Sequence, residues 1–525
     1  NTTELLDSIE DLGERMSEEG TVLLKNNGAL PLSADEKQKV TFLGFSSYFP
    51  IQGGDFGSTL TENKGTDADT VDMVQAFEAK GYSLNPTVQN MYLGMKEDFK
   101  SEAVLPWGVT TYYRATSPAI GGTFTSLEPS QEKLDKEEPT WKDSMNDYNV
   151  MIVTIARAAG ENTNYTPGEE GVNPEQNLNQ ADPLGLSDTE RATIDAAVKA
   201  KEQNGGKVIV LLNNASAMEI DELKNNDGID AMLEVGIPGG YGFYGVADVL
   251  SGDANPSGHL ADTYAVDNSA SPAAQNYEWT NADSDYSINS EIVEAESIYT
   301  GYKYYETRYA DTVLGQGNAS DSVGSSTGGA WTYDSEVSYP FGYGLSYTTF
   351  TQTLDSLNVD LEKKTVTAEV TVTNTGDVAG KDVVQLYAST PYTEYDKEHL
   401  VEKAAVQLLD YEKTDELAPG ESTKVTITAD AQDMASWDST AANEAGTTGN
   451  YILDAGDYYF TIGNGAHDAV NNVLAAQGYS ESNGMTSAGD AVNVKSWNLA
   501  AMDTTTFAKT ENGTAVENQL QDMDL

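Results

Sequence analysis

Residues able to do polar chemistry are unevenly represented in this chain. Its 525 residues include no Cys and only three scattered His, at 259, 399 and 467. Disulfides, thiolate metal sites and Cys nucleophiles are therefore excluded, and the His spacing does not suit a catalytic zinc. Carboxylates dominate, with 84 Asp and Glu against 29 Lys and Arg and a formal charge of −55. That balance argues against nucleic acid or an anionic membrane, whose phosphates need Lys and Arg patches, and suits a neutral substrate such as a sugar. No acidic run has the spacing of an EF-hand calcium loop. The stretch GGDFGS (53–58) has neither the Lys-Ser/Thr of a phosphate loop nor the spacing of a dinucleotide fingerprint. A second stretch, from Ala156 to Leu186, is rich in Gly, Asn, Pro and Glu and is long for a connection, which reads as functional. Within it Arg157 is open to two roles, ion-pair partner or donor at the edge of a substrate.

The elements that must position these stretches follow from periodicity. Leu5, Ile9, Leu12 and Met16 recur at helical spacing, and Thr21–Leu24 and Val40–Phe45 read as short buried strands. Val71, Val74 and Phe77 give a second helical stripe that stops at Gly81. Val150–Ile155 is a continuous apolar strand of the kind buried on both faces. Ser187 and Glu190 form a capping box, opening a helix that ends at Gly205-Gly206 before the strand Val208–Leu212. With a strand at Ala231–Val235 and a helix around Tyr244–Leu250, residues 1–350 read as a layered α/β domain with a mostly parallel sheet. Ligands of such sheets sit at the carboxyl ends of strands, where the 156–186 stretch departs. After Phe350 the period becomes two, with Val366, Ala368, Val370 and Val372 alternating with Thr and Glu. Strands at Val383–Tyr387, Val425–Thr428 and Tyr458–Ile462 predict a small β-sandwich. The polar tail from about Ala475 reads as a linker. Apolar content of 39% with 29 Tyr is enough to fill such cores, so the charge reads as an acidic surface.

Six segments taken in order resemble the second domain of glycoside hydrolase family 3: EEGTVLLKNNGALPL (18–32), GGDFGS (53–58), VIVLLNNASAMEI (208–220), VGIPGGYGFYGVADVLSGDANPSG (235–258), YTGYKYYET (299–307) and PFGYGLSYTTF (340–350). VTNTGDVAGKDVVQLY (372–387), LAPGES (417–422) and DMASWD (433–438) are similar to the fibronectin-III-like domain that accompanies many members. The resemblance implies a family 3 α/β sandwich over 1–350, an immunoglobulin-like all-β sandwich over 351–470, and a linker over 471–525 leading towards a (β/α)8 barrel. The barrel usually comes first in the family; some members reverse the order, and this chain is similar to those.

The resemblance also implies the chemistry. Retaining glycoside hydrolysis uses two carboxyl groups about 5–5.5 Å apart, one a nucleophile and one an acid/base. The family's nucleophilic Asp sits on the barrel in a motif like S-D-W, which this chain lacks. The acid/base often comes from the sandwich domain, in a loop like G-E-G-x-D, and the matching place here reads Gly160-Glu161-Asn162-Thr163-Asn164. Glu161 is therefore the expected general acid/base, with Glu170 and Glu169 as competing alignments. Asn162 stands where the family has Gly, no Asp follows, and an insertion separates the stretch from Ser187. Asp55 in GGDFGS, together with Arg157, is a candidate sugar contact. The expected activity is hydrolysis of non-reducing terminal β-glycosides, most simply β-glucosides, with carbohydrate and a barrel as partners and the chain alone inactive. A non-catalytic carbohydrate-binding or scaffold protein is the alternative, and xylosidase, arabinofuranosidase or N-acetylglucosaminidase specificity stays open. The two-carboxylate mechanism needs neither cofactor nor metal. No run of apolar residues is long enough to span a membrane. Self-association, and a bacterial cytoplasmic or surface location, are left open.

Overall fold

The computed structural model describes residues 2–32, 39–52, 70–105, 108–113, 128–157, 182–276 and 294–520. Asp55, Glu161, Glu169 and Glu170 lie outside them. The chain forms two compact units: one of residues 1–260 with 264–266 and 344–347, the other of 261–263, 267–343 and 348–525.

The first unit is built on a six-stranded sheet. Its strands are β1 (Val22–Asn26), β2 (Lys39–Leu43), β3 (Ser83–Leu84), β6 (Val150–Arg157), β7 (Lys207–Asn214) and β8 (Ala231–Glu234), in the order β1-β8-β7-β6-β2-β3. A separate hairpin, β4 (Lys100–Leu105) with β5 (Gly108–Tyr113), lies between β3 and β6 in sequence. All sheet neighbours are parallel except β1, which runs antiparallel to β8. Every residue of β6 is buried, as expected of a central strand covered by helices on both faces. The helix Asp188–Asn204 opens with the reciprocal Ser187–Glu190 capping box and closes on Gly205 at φ 69°, ends that the sequence specifies directly.

The helix Thr2–Gly20 forms where periodicity predicts it, but its apolar stripe faces outward: Leu5 is 60% and Met16 65% exposed, and Ile9 and Leu12 are also exposed. Close approach to the helix Gly242–Ser251 is the reason. A Cβ on Gly245 would lie 2.1 Å from the Glu14 carbonyl oxygen, and Gly13 and Ser17 press on Tyr241 and Gly242 in the same way. Contact this tight selects small residues for the inner face.

The second unit contains the β-sandwich. One antiparallel sheet joins β9 (Phe350–Asp360), β10 (Thr365–Asn374) and β13 (Ser422–Asp430). The other runs β12 (Gln407–Lys413), β11 (Val383–Ser389), β16 (Gly456–Ile462), β17 (Val494–Leu499). β14 (Ser436–Ala442) and β15 (Thr448–Ile452) pair separately. On β10, Val366, Ala368, Val370 and Val372 are fully buried and join Leu354, Leu386, Ile427 and Phe460 in one core, the period-two pattern read from sequence. The helix Tyr302–Leu314 packs on the helix Ala466–Ala476, where the Tyr309 hydroxyl donates to Asn471 Oδ1 at 2.5 Å. Residues after 471 complete that helix and supply β17 as an edge strand. Among the described residues no helix is long and apolar enough to cross a membrane.

Candidate functional site at the carboxyl edge of the parallel sheet

The chain runs from β2 outward to β3 and returns on the other side of β2 to form β6. The winding direction therefore reverses between β2 and β6, and the region beyond the carboxyl ends of strands at such a reversal is the usual place for ligands in open α/β sheets. Gly44 ends β2 with φ 92°, and a Cβ there would sit 2.5 Å from the Thr154 carbonyl oxygen on β6. Only glycine lets the chain leave β2 this close to its neighbour.

Segment 158–181 departs from the end of β6, and both of its ends are fastened by one side chain. Arg157 is completely buried. Its guanidinium forms a two-pronged pair with Glu190 at 2.7 and 2.8 Å. The remaining N–H groups donate to the carbonyls of Ala156 (2.8 Å), Pro183 (2.8 Å) and Gly185 (2.6 Å). All five donors are thereby used, so Arg157 serves as the ion-pair partner and has none left for a sugar. Segment 53–69 is fastened at both ends as well. Asn213, at the end of β7, accepts from the Ile51 N–H at 2.8 Å and donates to the carbonyls of Ile51 (3.0 Å) and Gly236 (2.7 Å). Gln52 donates to the Val71 carbonyl at 2.6 Å across the two ends. Asp72 then caps the helix Met73–Ala79, and burial pushes its carboxyl up to about 6.

Among the described residues, Glu128, Glu234 and Glu190 at this edge are each committed to protein partners. Glu128 accepts from the Phe45 N–H, Tyr92 and Thr193 at 2.8–3.0 Å, and burial pushes it up to about 7. Glu234 accepts from the Gly236 N–H (2.8 Å), Tyr264 (2.9 Å) and Asn214 (3.2 Å), and burial pushes it to about 7 too. Glu190 is held by Arg157 and the Ser187 N–H. These groups position backbone. Glu14, Glu18 and Asp248 also converge, on the face between two helices. There a hydrogen bond with Asp248, together with burial, raises Glu14 to about 7, and Lys80 is the counter-ion of Asp248.

Arg157 was visible in the sequence, but Asn213, Gln52 and Glu128 were not singled out. Asn213-Asn214 did carry a signal, a polar pair closing the apolar run Val208–Leu212 at a strand's carboxyl end. Glu128 carried none, because its partners lie 36, 65 and 83 residues away.

The profile of the glycosyl hydrolase family 3 C-terminal domain matches residues 21–347, and that of the fibronectin type III-like domain matches 382–466. The chain belongs to glycoside hydrolase family 3. Among curated family relatives, the beta-glucosidase of Ruminococcus albus is 30% identical over 458 residues, which is 86% of this chain and 39% of that protein. Beta-glucosidase A of Butyrivibrio fibrisolvens is 33% identical over 285 residues, 52% of this chain and 30% of that protein. This chain thus spans well under half the length of these family 3 proteins. Among solved structures, beta-glucosidase 3B from Thermotoga neapolitana matches with a TM-score of 0.66 at 24% identity, over 95% of this chain and 55% of that one. That likeness establishes the shared family 3 fold.

Proposed function

We propose that this chain supplies the general acid/base of a retaining β-glycosidase, most simply a β-glucosidase, with Glu161 in that role and a nucleophilic Asp on a (β/α)8 barrel. The names of the two curated relatives support the activity. The observation that carries the residue is its distance along the chain from a fixed point. Glu161 is four residues past Arg157, so covalent geometry keeps it within about 14 Å of a fully anchored strand end at the switch point. Glu169 and Glu170 are at least 12 residues from both Arg157 and Asp182 and have no such tether. In the reaction Glu161 protonates the leaving oxygen, then takes a proton from the water that releases the glycosyl group from the nucleophile. The approach of the nucleophilic carboxylate raises the acid's pKa, keeping it protonated for the first step. Asp55, three residues past Gln52, is tethered to the same edge and serves as a sugar contact.

The test uses the chain joined to or mixed with a barrel of the family, on nitrophenyl β-glucosides. Glu161→Gln is expected to lower kcat by about 10²–10⁴-fold for a poor leaving group and much less for dinitrophenol, which needs no proton. Glu169→Gln and Glu170→Gln should stay within a few-fold of the parent. Hydrolysis by the chain without a barrel, or loss of activity on Glu170→Gln in place of Glu161→Gln, would overturn the assignment.

A further inference from the structure

The second unit contains two adjoining clefts of about 440 and 710 Å³, sizes typical of small-ligand sites. Tyr299, Thr307, Asp311, Gln316 and Tyr392 line both, so a single wall serves the pair. Thr307 and Asp311 stand on the helix Tyr302–Leu314, Gln316 follows its closing Gly315, and Tyr392 lies in the turn after β11. Asp311 is half-buried, and its carboxylate has no hydrogen bond or ion pair among the described residues. Burial alone pushes it up to about 6. It lines both clefts and is open to them, an acceptor available to the hydroxyls of a ligand.

The chemistry of the wall narrows the ligand. Its cations are already committed. Lys403 is bound by Asp396 and Asp454, Lys397 by Glu394, and Arg308 by Tyr304 and the carbonyls of Ala319 and Asp321. Arg308 keeps its charge on neutral acceptors, but Glu296, Asp311 and Asp457 on the same lining, with the carboxylates that pair the two lysines, leave the wall net negative and unsuited to an anionic ligand. Tyr392, by contrast, is 52% exposed, and Tyr299 is fixed by donating its hydroxyl to the Lys403 carbonyl at 3.3 Å.

We infer that this wall binds a short neutral saccharide: Tyr299 and Tyr392 stack on the apolar faces of sugar rings, while Asp311 and Gln316 exchange hydrogen bonds with the hydroxyls. The site stands on the geometry of the second unit. Only the choice of a β-linked glucan as probe rests on the proposed activity.

The test is calorimetric titration of the 525-residue chain with cellotetraose. Binding is expected in the range of about 1 mM or tighter, with Tyr392→Ala and Asp311→Asn each weakening it at least about 10-fold (about 1.4 kcal/mol). Tyr411→Ala, which removes an exposed ring on β12 outside both clefts, should leave affinity unchanged and controls for general surface effects. Absence of binding up to about 10 mM, or binding indifferent to both cleft variants, would overturn the site. So would Asp311-dependent binding of spermidine without cellotetraose binding, which would make the wall a cation site. The readout is binding and not hydrolysis, so failure here leaves the acid/base proposal standing, and failure there leaves this one standing.

Discussion

Each unit buries one cation against the third residue of a capping box, and the two use the same device for different ends. In the first unit, Arg157 pairs with Glu190, which with Ser187 caps the helix Asp188–Asn204. In the second, Lys403 pairs with Asp396, which with Thr393 caps the helix Glu394–His399. The remaining donors separate them. Arg157 sends its fork to the carbonyls of Pro183 and Gly185, and so fixes where a distant piece of chain re-enters. Lys403 meets a second carboxylate, Asp454, and the Pro391 carbonyl at 2.6 Å. Burial outweighs the lysine's pull on Asp454 and raises its carboxyl. A rigid guanidinium with five donors positions backbone, whereas a compact ammonium neutralises charge.

The sharpest way to break this comparison is Lys403→Met. Two buried carboxylates would then face each other uncompensated, and unfolding measured by calorimetry should lose about 3–5 kcal/mol at pH 7. The loss should shrink towards pH 5, because carboxyl groups raised in the folded state favour folding when protonated and lose that contribution as pH rises. Next in size is Glu128, a buried carboxyl with hydrogen bonds but no cation. Its folded value of about 7 lies above the ordinary 4.5, so its contribution is complete below about 4.5 and disappears as pH rises through about 7. That amounts to roughly 3 kcal/mol across the window. Glu128→Gln should make the stability-versus-pH curve visibly shallower over that range. Smallest in stability is Arg157→Lys, which keeps the charge but loses two donors, for about 1–2 kcal/mol. Its effect on kcat in a barrel-complemented enzyme should exceed what that loss implies, whereas Lys403→Arg should leave kcat within a few-fold. Equal effects of the two exchanges on hydrolysis would erase the distinction between positioning and neutralising.

Sequence patterns located the parts whose information is local. The Ser187–Glu190 box, the apolar run of β6 and the alternation on β10 all specify structure through neighbours within a few residues. Family motifs supplied the two sandwiches. The site's frame was legible only at Arg157, because its other members act over long separations: Gln52 reaches Val71, and Asn213 reaches Ile51. The first helix shows the limit most plainly. Spacing predicts that Thr2–Gly20 is helical, but the face turned inward is decided by Gly242 and Gly245, more than 200 residues away. Composition alone made residues after 475 look like a linker, yet β17 adds its backbone to a sheet edge, a contribution that polar side chains do not advertise.

Fastening segments 53–69 and 158–181 at both ends, through side chains that belong to the sheet and its margins, makes them exchangeable. With the ends fixed, lengthening a connection costs only the slow logarithmic growth of closure entropy, about 0.6 kcal/mol per doubling. Insertions and replacements between Gln52 and Val71, or between Arg157 and Asp182, can therefore accumulate without unsettling the sheet. On the proposed function, substrate preference would diverge by cassette exchange while Arg157, Asn213 and Gly44 stay in place.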